Sequence, residues 1–364
     1  MADNLLPYND AKYQRFNESL DEDCRIEANG QVKVGGTQFQ PSKILYEMEP
    51  IGYTEAYQDF LNSEYERIKE VVFNQYPSCI AYNFRLSEKG EGASDPVRKL
   101  LHLKDTWESI VFVLYAIVWG EIRHKNIDLK ASQVFVSIGA NGNPVFEPFN
   151  TRKLLSDALK AKIQNLKAVV EYSRATGLGL KCEEIEPDML DKLLALQDIR
   201  NDISHHNTPT REEAEVELLQ VIPLFKEMLM MTEFLADCKI LRFESFSSKC
   251  WCEEFNGHFL NKEYDNFDFG PTQAYVLSLG QEQIFLKWDN EVFSLSPFLH
   301  FHTVAGSRES YLSLYKFKRD SQYWFEPVAR REEVSFAHLQ ARFDGEQAVI
   351  NRTNGIANFA RARL

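Results

Sequence analysis

An arginine, an amide and an imidazole stand close together near the end of one apolar-periodic segment of this 364-residue chain. Arg200 and His205 are separated by four residues, and Asn201 directly follows the arginine. A guanidinium stays charged and binds phosphate through two parallel hydrogen bonds. An imidazole gives or takes a proton near neutral pH. These side chains could therefore hold a phosphodiester and move a proton beside it.

Cleavage of RNA without a metal ion sets three chemical requirements. A base removes the 2′-hydroxyl proton, an acid protonates the leaving 5′-oxygen, and a cation stabilises the charge that develops on the phosphorane. His205 could serve in either proton role, and Arg200 could supply the cation. Asn201 could fix a ring tautomer or contact the backbone. One copy of the motif supplies only one imidazole, so a complete site needs a second proton-transfer group.

The end of the helix decides whether Arg200 and His205 can face one site. Positions five apart on a regular helix diverge by about 140°, so the helix must loosen there, and Asn207-Thr208-Pro209 favours that ending. Carbonyl groups at a helix C-terminus also favour a charged imidazolium, which suits a general acid. Three neighbours are supporting candidates, and the carboxylate among them could orient either charged partner: Asp202, Ser204 and His206.

Hydrophobic periodicity predicts four helices around this motif. Asp95-Pro96 is typical of a helix start, and Thr210 to Glu213 has the pattern of a capping box. The second predicted helix is expected to end at the Gly177-Leu178-Gly179 stop, and a bend is expected at Pro223. Four amphipathic helices with short connections indicate a helical bundle over residues 96–240. The predicted helices run from 96 to about 124, from about 151 to 174, from about 187 to about 205, and from 210 to 235.

The motif and its position resemble the HEPN superfamily of all-helical domains. The resemblance is carried by the Arg-x4-His string, by the polar residue after the arginine, and by its place near the end of the third bundle helix. It implies a metal-independent endoribonuclease, without a cofactor, in which two protomers bring their motifs into one cleft. We therefore expect a homodimer with a composite Arg200 and His205 site and an RNA substrate. Such an enzyme harms its own cell, which implies a toxin or an anti-phage abortive-infection effector.

Two further positions bear on this resemblance. Some HEPN members place an acidic or polar residue on the first helix towards the cleft, where this chain has Glu108. A tyrosine-bearing branch of the superfamily extends the motif to His-x-Tyr, whereas Asn207 occupies the tyrosine position here. Glu108 is therefore a supporting candidate, and modification of a tyrosine at this site is not expected.

After Cys238 the pattern changes to period two, which is typical of antiparallel strands. We predict an antiparallel β domain over 241–344, a mixed N-terminal region over 1–95 with a helix from Tyr53 to Asn74, and a polar tail over 345–364. The predicted fold class is α+β, with a HEPN-like antiparallel bundle followed by the β domain. The predicted strands include 134–138, 275–279, 284–288, 292–295, 311–317 and 323–325, and a loop is predicted over 139–148.

Composition excludes several classes of protein. A formal net charge of −13 argues against binding nucleic acid over the whole surface, so a few arginines and lysines in one place must grip the RNA. The longest apolar run, Ile110 to Trp119, is about half the length of a membrane span, and the N-terminus lacks the features of a signal peptide. Six scattered cysteines favour reduced thiols. A cytoplasmic protein without a membrane partner is expected.

Two other function classes remain open. A non-catalytic HEPN module could bind nucleotide or RNA through Arg200 while His205 is structural. A purely structural protein could dimerise through the bundle and recruit a partner through the β domain. In the ribonuclease, the N-terminal region and the β domain are where a regulatory protein or ligand would bind. The simplest interpretation of the motif is an ion pair of Arg200 with Asp198 or Asp202 on a solvated helix end.

A zinc site is a further alternative in the β domain. Cys250-Trp-Cys252, His258 and His300-Phe-His302 contain suitable ligand types. The cysteine spacing is tighter than the usual ligand spacing, and no second cysteine pair follows. No metal site is therefore expected.

Overall fold

The computed structural model describes most of the chain. The described residues are 8, 13–27, 33–34, 37–38, 40–127, 129, 133–138, 141, 143–148, 158–204, 209–319, 322–329, 333–336 and 339. The chain divides into two compact units, 1–69 and 70–364. The predicted boundary at residue 95 falls inside the second unit, and the predicted polar tail over 345–364 lies outside the described residues.

Helices mostly precede strands along the chain, so the predicted α+β class is confirmed. The helices are α1 (Gln14–Glu27), α2 (Pro41–Met48), α3 (Pro50–Gln75), α4 (Ser78–Lys89), α5 (Pro96–His124), α6 (Leu159–Thr176), α7 (Pro187–Ser204), α8 (Arg211–Met230) and α9 (Gln273–Leu279). The strands are β1 (Lys33–Val34), β2 (Thr37–Gln38), β3 (Gln133–Ile138), β4 (Pro144–Pro148), β5 (Cys238–Phe246), β6 (Cys250–Glu254), β7 (Glu263–Phe267), β8 (Ile284–Trp288), β9 (Glu291–Ser294), β10 (Leu299–Thr303), β11 (Ser310–Arg319), β12 (Gln322–Pro327) and β13 (Val334–Ser335).

Aromatic side chains hold the first unit together. Tyr13 and Phe16 pack against Tyr53 and Tyr57 of α3 in one buried cluster. The Tyr13 and Tyr57 rings meet edge to face with centroids 4.8 Å apart, a favourable geometry for aromatic pairs. The Tyr53 hydroxyl donates a hydrogen bond of 2.7 Å to Asn17 Oδ1. Burial raises the pKa of Tyr53 to about 12.

Helix α5 is the centre of the second unit. The Asp95 carboxylate accepts hydrogen bonds from the first free backbone N–H groups of the helix, so the predicted helix start is confirmed. Every residue from Thr106 to Ile122 is buried. A helix that is apolar all round needs partners on every side, and α4, α6, α8, β9 and β11 supply them. At Gly120 the strand β9 comes so close that a Cβ atom would lie 2.7 Å from the Ser294 carbonyl oxygen.

Helices α5 and α6 run in the same direction, so the predicted antiparallel arrangement is wrong for this pair. Lys162 contacts the rings of Phe112 and Tyr115, and the following turns of both helices line one small cavity that extends to Val169 and Ile122. The strand predicted over 134–138 is confirmed as β3. The expected short connection between these helices is wrong, because β3 and β4 form a hairpin within it. The second half of the loop predicted over 139–148 is strand β4.

Two antiparallel sheets complete the second unit. Their strand orders are β7-β6-β5-β8-β9 and β10-β11-β12-β13. The strands predicted over 284–288, 292–295, 311–317 and 323–325 are confirmed. Leu241, Cys252 and Phe285 of the first sheet pack with Val276 of α9 in one hydrophobic cluster.

The strand predicted over 275–279 is wrong, because these residues belong to α9. Tyr275, Leu277 and Leu279 alternate in sequence, but the buried side chains are Val276 and Leu279. Positions three apart share one face of a helix. Leu277 is instead 39% exposed, so period two here is a coincidence of composition.

The predicted end of α6 and the predicted start of α8 are confirmed. Gly177 ends α6 in the left-handed region, with a φ of 65°, a conformation that glycine adopts without strain. The predicted capping box opens α8, with the Thr210 hydroxyl accepting from Glu213 N and the Glu213 carboxylate accepting from Thr210 N. Pro223 lies inside α8, which continues to Met230.

Candidate functional site

The predicted motif lies in the last turns of α7. Arg200, Asn201, Asp202 and Ser204 belong to this helix, and of these residues only the backbone is described. The predicted site residues His205 and His206 lie outside the described residues. Arg200 and Asn201 therefore lie in the last turns of the third bundle helix. The last residue of α7, Ser204, directly precedes His205.

Two ion pairs tie α7 to α6. Lys160 Nζ lies 2.8 Å from Asp198 Oδ1, and Lys167 Nζ lies 2.6 Å from Asp191 Oδ1. From the first pair to the second, the residue number increases along α6 and decreases along α7, so the two helices are antiparallel. Both pairs are partly exposed, and such pairs contribute at most about 1 kcal/mol to stability. Their main effect here is orientation, and the Asp198 carboxylate, which the simplest interpretation assigns to Arg200, is bound by Lys160.

A third ion pair ties α7 to α8. Lys192 Nζ lies 2.8 Å from Glu227 Oε2. Burial alone would lower the pKa of Lys192, but the hydrogen bond and charge of Glu227 outweigh it and raise that pKa. Because only six residues connect the two helices, they must run antiparallel. Arg200 is eight residues beyond Lys192 and Leu219 is eight residues before Glu227, so both lie about 12 Å along the bundle from this pair.

Glu108 of α5 is a buried group rather than a solvated one. Glu108 is only 9% exposed. Its carboxylate oxygens lie 3.8 Å from Lys104 Nζ and 3.9 Å from Lys316 Nζ. Lys316, which comes from β11, also lies 2.8 Å from Glu326 Oε2, and its ammonium is 4.7 Å from the centroid of the Phe112 ring. Glu108 is therefore directed to the β11 side of α5.

Glu108 lines a polar cleft of about 400 Å³ between the helices and the second sheet. Carboxylates and cations face it from both walls, which suits a polar ligand that has both donor and acceptor groups. Sequence reasoning found Glu108 but missed the rest, because α5 and β11 are about two hundred residues apart and no local pattern joins them. The other charged or titratable groups of this cleft are Tyr82, Glu91, Arg98, His102, Asp105, Lys316 and Glu326.

A fully buried lysine lies near this cleft, at the start of α6. Lys162 is 0% exposed, and its ammonium lies 4.7 Å from the Tyr115 ring centroid, 5.7 Å from that of Phe112 and 5.8 Å from that of Tyr315. Ring faces attract a cation, most strongly where water is excluded. Burial raises the pKa of Tyr115, which keeps that hydroxyl protonated. No sequence pattern pointed to this group.

The residues considered for zinc are dispersed. Cys250 and Cys252 face the hydrophobic cluster under the first sheet. The His258 ring contacts a backbone carbonyl through Nδ1 at 2.7 Å, and His300 is buried in the second sheet. Across the described ranges, no three His, Cys, Asp or Glu side chains gather as metal ligands would.

Comparison of the chain with protein-family models, with curated proteins and with solved structures finds no match in any of the three. Within the described ranges, each helix falls short of the combined length and apolar character that crossing a membrane requires.

Proposed function

We propose that this protein is a metal-independent endoribonuclease of HEPN type, with Arg200 and His205 of two protomers forming one composite site. The observation that supports it is the position of the motif. Arg200 and Asn201 lie at the end of α7, the third helix of the group α5–α8. The Lys160–Asp198 ion pair ties that end to α6, and the Lys192–Glu227 ion pair ties the earlier part of α7 to α8. A rigid helix with a fixed end is a suitable support for a phosphate-binding arginine.

The proposed chemistry uses the 2′-hydroxyl of the RNA as the nucleophile. One imidazole removes the hydroxyl proton, the 2′-oxygen bonds to phosphorus, and the bond to the 5′-oxygen breaks. The imidazole of the second protomer gives its proton to that leaving oxygen. Arg200 binds the nonbridging oxygens and stabilises the phosphorane charge. The products are a 2′,3′-cyclic phosphate and a 5′-hydroxyl.

The remaining candidates have supporting roles. Asn201 would fix an imidazole tautomer, Asp202 would orient a charged partner, and Ser204 and His206 would flank the scissile phosphate. Glu108 lies on the β11 side of α5, so it would support the bundle rather than contact the phosphate. The setting we propose is a toxin or anti-phage effector, restrained or triggered through the first unit or the sheets.

The test uses the full-length purified chain, a mixed RNA substrate and excess chelator. We expect cleavage to persist in chelator and to leave 2′,3′-cyclic phosphate ends, because no step uses a metal ion. Arg200→Ala and His205→Ala should each abolish it. Arg15→Ala is the matched control, since it removes a cation that is 64% exposed and belongs to the first unit.

Other outcomes would favour the other function classes. RNA binding that is lost in Arg200→Ala but unchanged in His205→Ala, without any cleavage, would indicate a non-catalytic binding module. Absence of both binding and cleavage would indicate a structural protein.

A further inference from the structure

Helix α8 carries two stripes of residues with the same spacing. The first stripe is buried against the rest of the bundle. The second lies on the opposite side of the helix, where its first four residues are exposed and its last two, Lys226 and Met230, are half-buried. Its residues are again spaced alternately by four and three positions. This is the spacing by which two helices pack along each other. The buried stripe is Ala214, Leu218, Val221, Phe225 and Met228, and the second stripe is Glu212, Val216, Leu219, Pro223, Lys226 and Met230.

The middle of the second stripe is apolar and exposed. Leu219 is 77% exposed and Val216 is 59% exposed, and Pro223 beside them is also exposed. Single exposed apolar residues are common on protein surfaces. A run of them at helix-pairing spacing on one face is different, because it matches the surface of a second helix.

The charges at the two ends of the stripe are opposite. Glu212 stands at the N-terminal end and Lys226 near the C-terminal end, seven residues before and seven residues after Leu219. In a two-fold contact, residues equally far from the axis on either side face each other. Antiparallel helices crossing at Leu219 therefore place Glu212 against the partner's Lys226, twice. Parallel helices would instead bring like charges together.

We infer that this stripe of α8 is the contact between two copies of this chain, packed antiparallel about a two-fold axis near Leu219. The inference rests on the proposed function only for its consequence. Leu219 lies at the same height along the bundle as Arg200, so this contact brings the ends of both α7 helices to one level. α8 is about 30 Å long, and a contact between two single helices of this length buries less surface than a stable interface needs. The dimer should therefore dissociate on dilution.

The test measures the mass of the full-length chain by light scattering across a dilution series. We expect a dimer at high concentration and a halved mass for Leu219→Arg, whose exposed position leaves the fold intact by circular dichroism. Met48→Arg is the matched control, because Met48 is equally exposed, at 77%, and should leave the mass unchanged. A monomeric wild type, or a Leu219→Arg variant that stays dimeric, overturns the inference.

The charge pairing has its own test. Glu212→Lys and Lys226→Glu should each weaken the dimer, and the double variant should restore it. Failure of the double variant to restore it overturns the antiparallel arrangement.

RNA cleavage by the same variants separates this inference from the proposed function. A monomeric Leu219→Arg variant that still cleaves supports the contact and contradicts the composite site. If the wild type dimerises through α8 but does not cleave RNA, the result supports the contact and contradicts the proposed ribonuclease.

Discussion

The ammonium group of Lys162 lies 4.7 Å from the centroid of the Tyr115 ring, and both side chains are buried. Lys162 thus joins α6 to α5 through an aromatic ring, at the end of the bundle where α7 carries the motif. Burying an ammonium costs hydration free energy. The aromatic rings offset part of that free energy, because a cation over an aromatic face is stabilised by about 0.5–2 kcal/mol.

Shape should matter more than charge at Lys162. We expect Lys162→Met to keep the free energy of unfolding within about 1 kcal/mol, because it fills the same space and needs no desolvated charge. Lys162→Ala should lose about 2–5 kcal/mol through the cavity it leaves. Urea unfolding of both variants measures this. If Lys162→Met is as unstable as Lys162→Ala, the charge itself holds the helices together.

Gly120 permits the contact between α5 and β9. We expect Gly120→Ala to lose about 1–3 kcal/mol, because the new Cβ would lie 2.7 Å from the Ser294 carbonyl oxygen and 2.9 Å from the Phe293 ring. Gly52→Ala is a matched control on another helix, where the nearest atom is a flexible Glu49 oxygen at 3.3 Å. It should be neutral or stabilising by up to about 1 kcal/mol. Thermal unfolding that ranks the two variants in the opposite order would contradict the close packing.

The start of α8 depends on Thr210. Replacing its hydroxyl in Thr210→Ala should lower stability by about 0.5–2 kcal/mol and speed hydrogen exchange in the first turn of α8. Thr210→Ser keeps the oxygen that accepts from Glu213 N and should restore both properties. Because this cap comes five residues after His205, RNA cleavage by the proposed site should fall in Thr210→Ala and recover in Thr210→Ser. Equal exchange rates in all three proteins would show that the cap does not hold this turn.

Buried thiols should be unreactive in the folded protein. Burial raises the pKa of Cys79 and of Cys252 to about 12, and it also raises those of Cys182 and Cys238. We expect mass spectrometry after iodoacetamide treatment to find these cysteines unmodified at neutral pH and modified in denaturant. Modification of Cys79 without denaturant would contradict its burial.

The same thiols make stability depend on alkaline pH. A raised pKa means that the folded state keeps a proton that the unfolded state loses first. Their contribution is therefore complete below about pH 9, the ordinary thiol value, and is lost as pH rises towards 12. Urea midpoints measured across this range should fall, and a constant midpoint would show that the thiols ionise equally in both states.

Local signals predicted the helix ends well. Asp95, Gly177 and the Thr210–Glu213 box each act through backbone groups a few residues away, so a single sequence contains all that is needed. Period two failed at α9, because Tyr275 and Leu277 occupy a helix whose apolar side rests on a sheet. Alternation of residue types cannot show which tertiary surface a short segment will meet.

The candidate functional residues also differ in whether local sequence could predict their surroundings. Arg200, Asn201 and His205 are neighbours in sequence, so their grouping could be predicted before any fold was known. The surroundings of Glu108 could not, since Lys316 and Glu326 reach it from strands formed two hundred residues later. The aromatic rings around Lys162 likewise include that of Tyr315, which lies far away in the sequence. Contacts of this kind follow from topology rather than from spacing.

The burial of α5 on all sides makes the bundle inseparable from the strands that follow it. Arg123 near its end donates hydrogen bonds to the Ser294 and Ser296 carbonyls, and Gly120 is covered by β9. A fragment cut at residue 240 would leave one flank of this apolar helix uncovered. A ribosome must therefore synthesise β9 and β11 before α5 is shielded from water, so the bundle cannot complete its folding when only residues 1–240 have been translated.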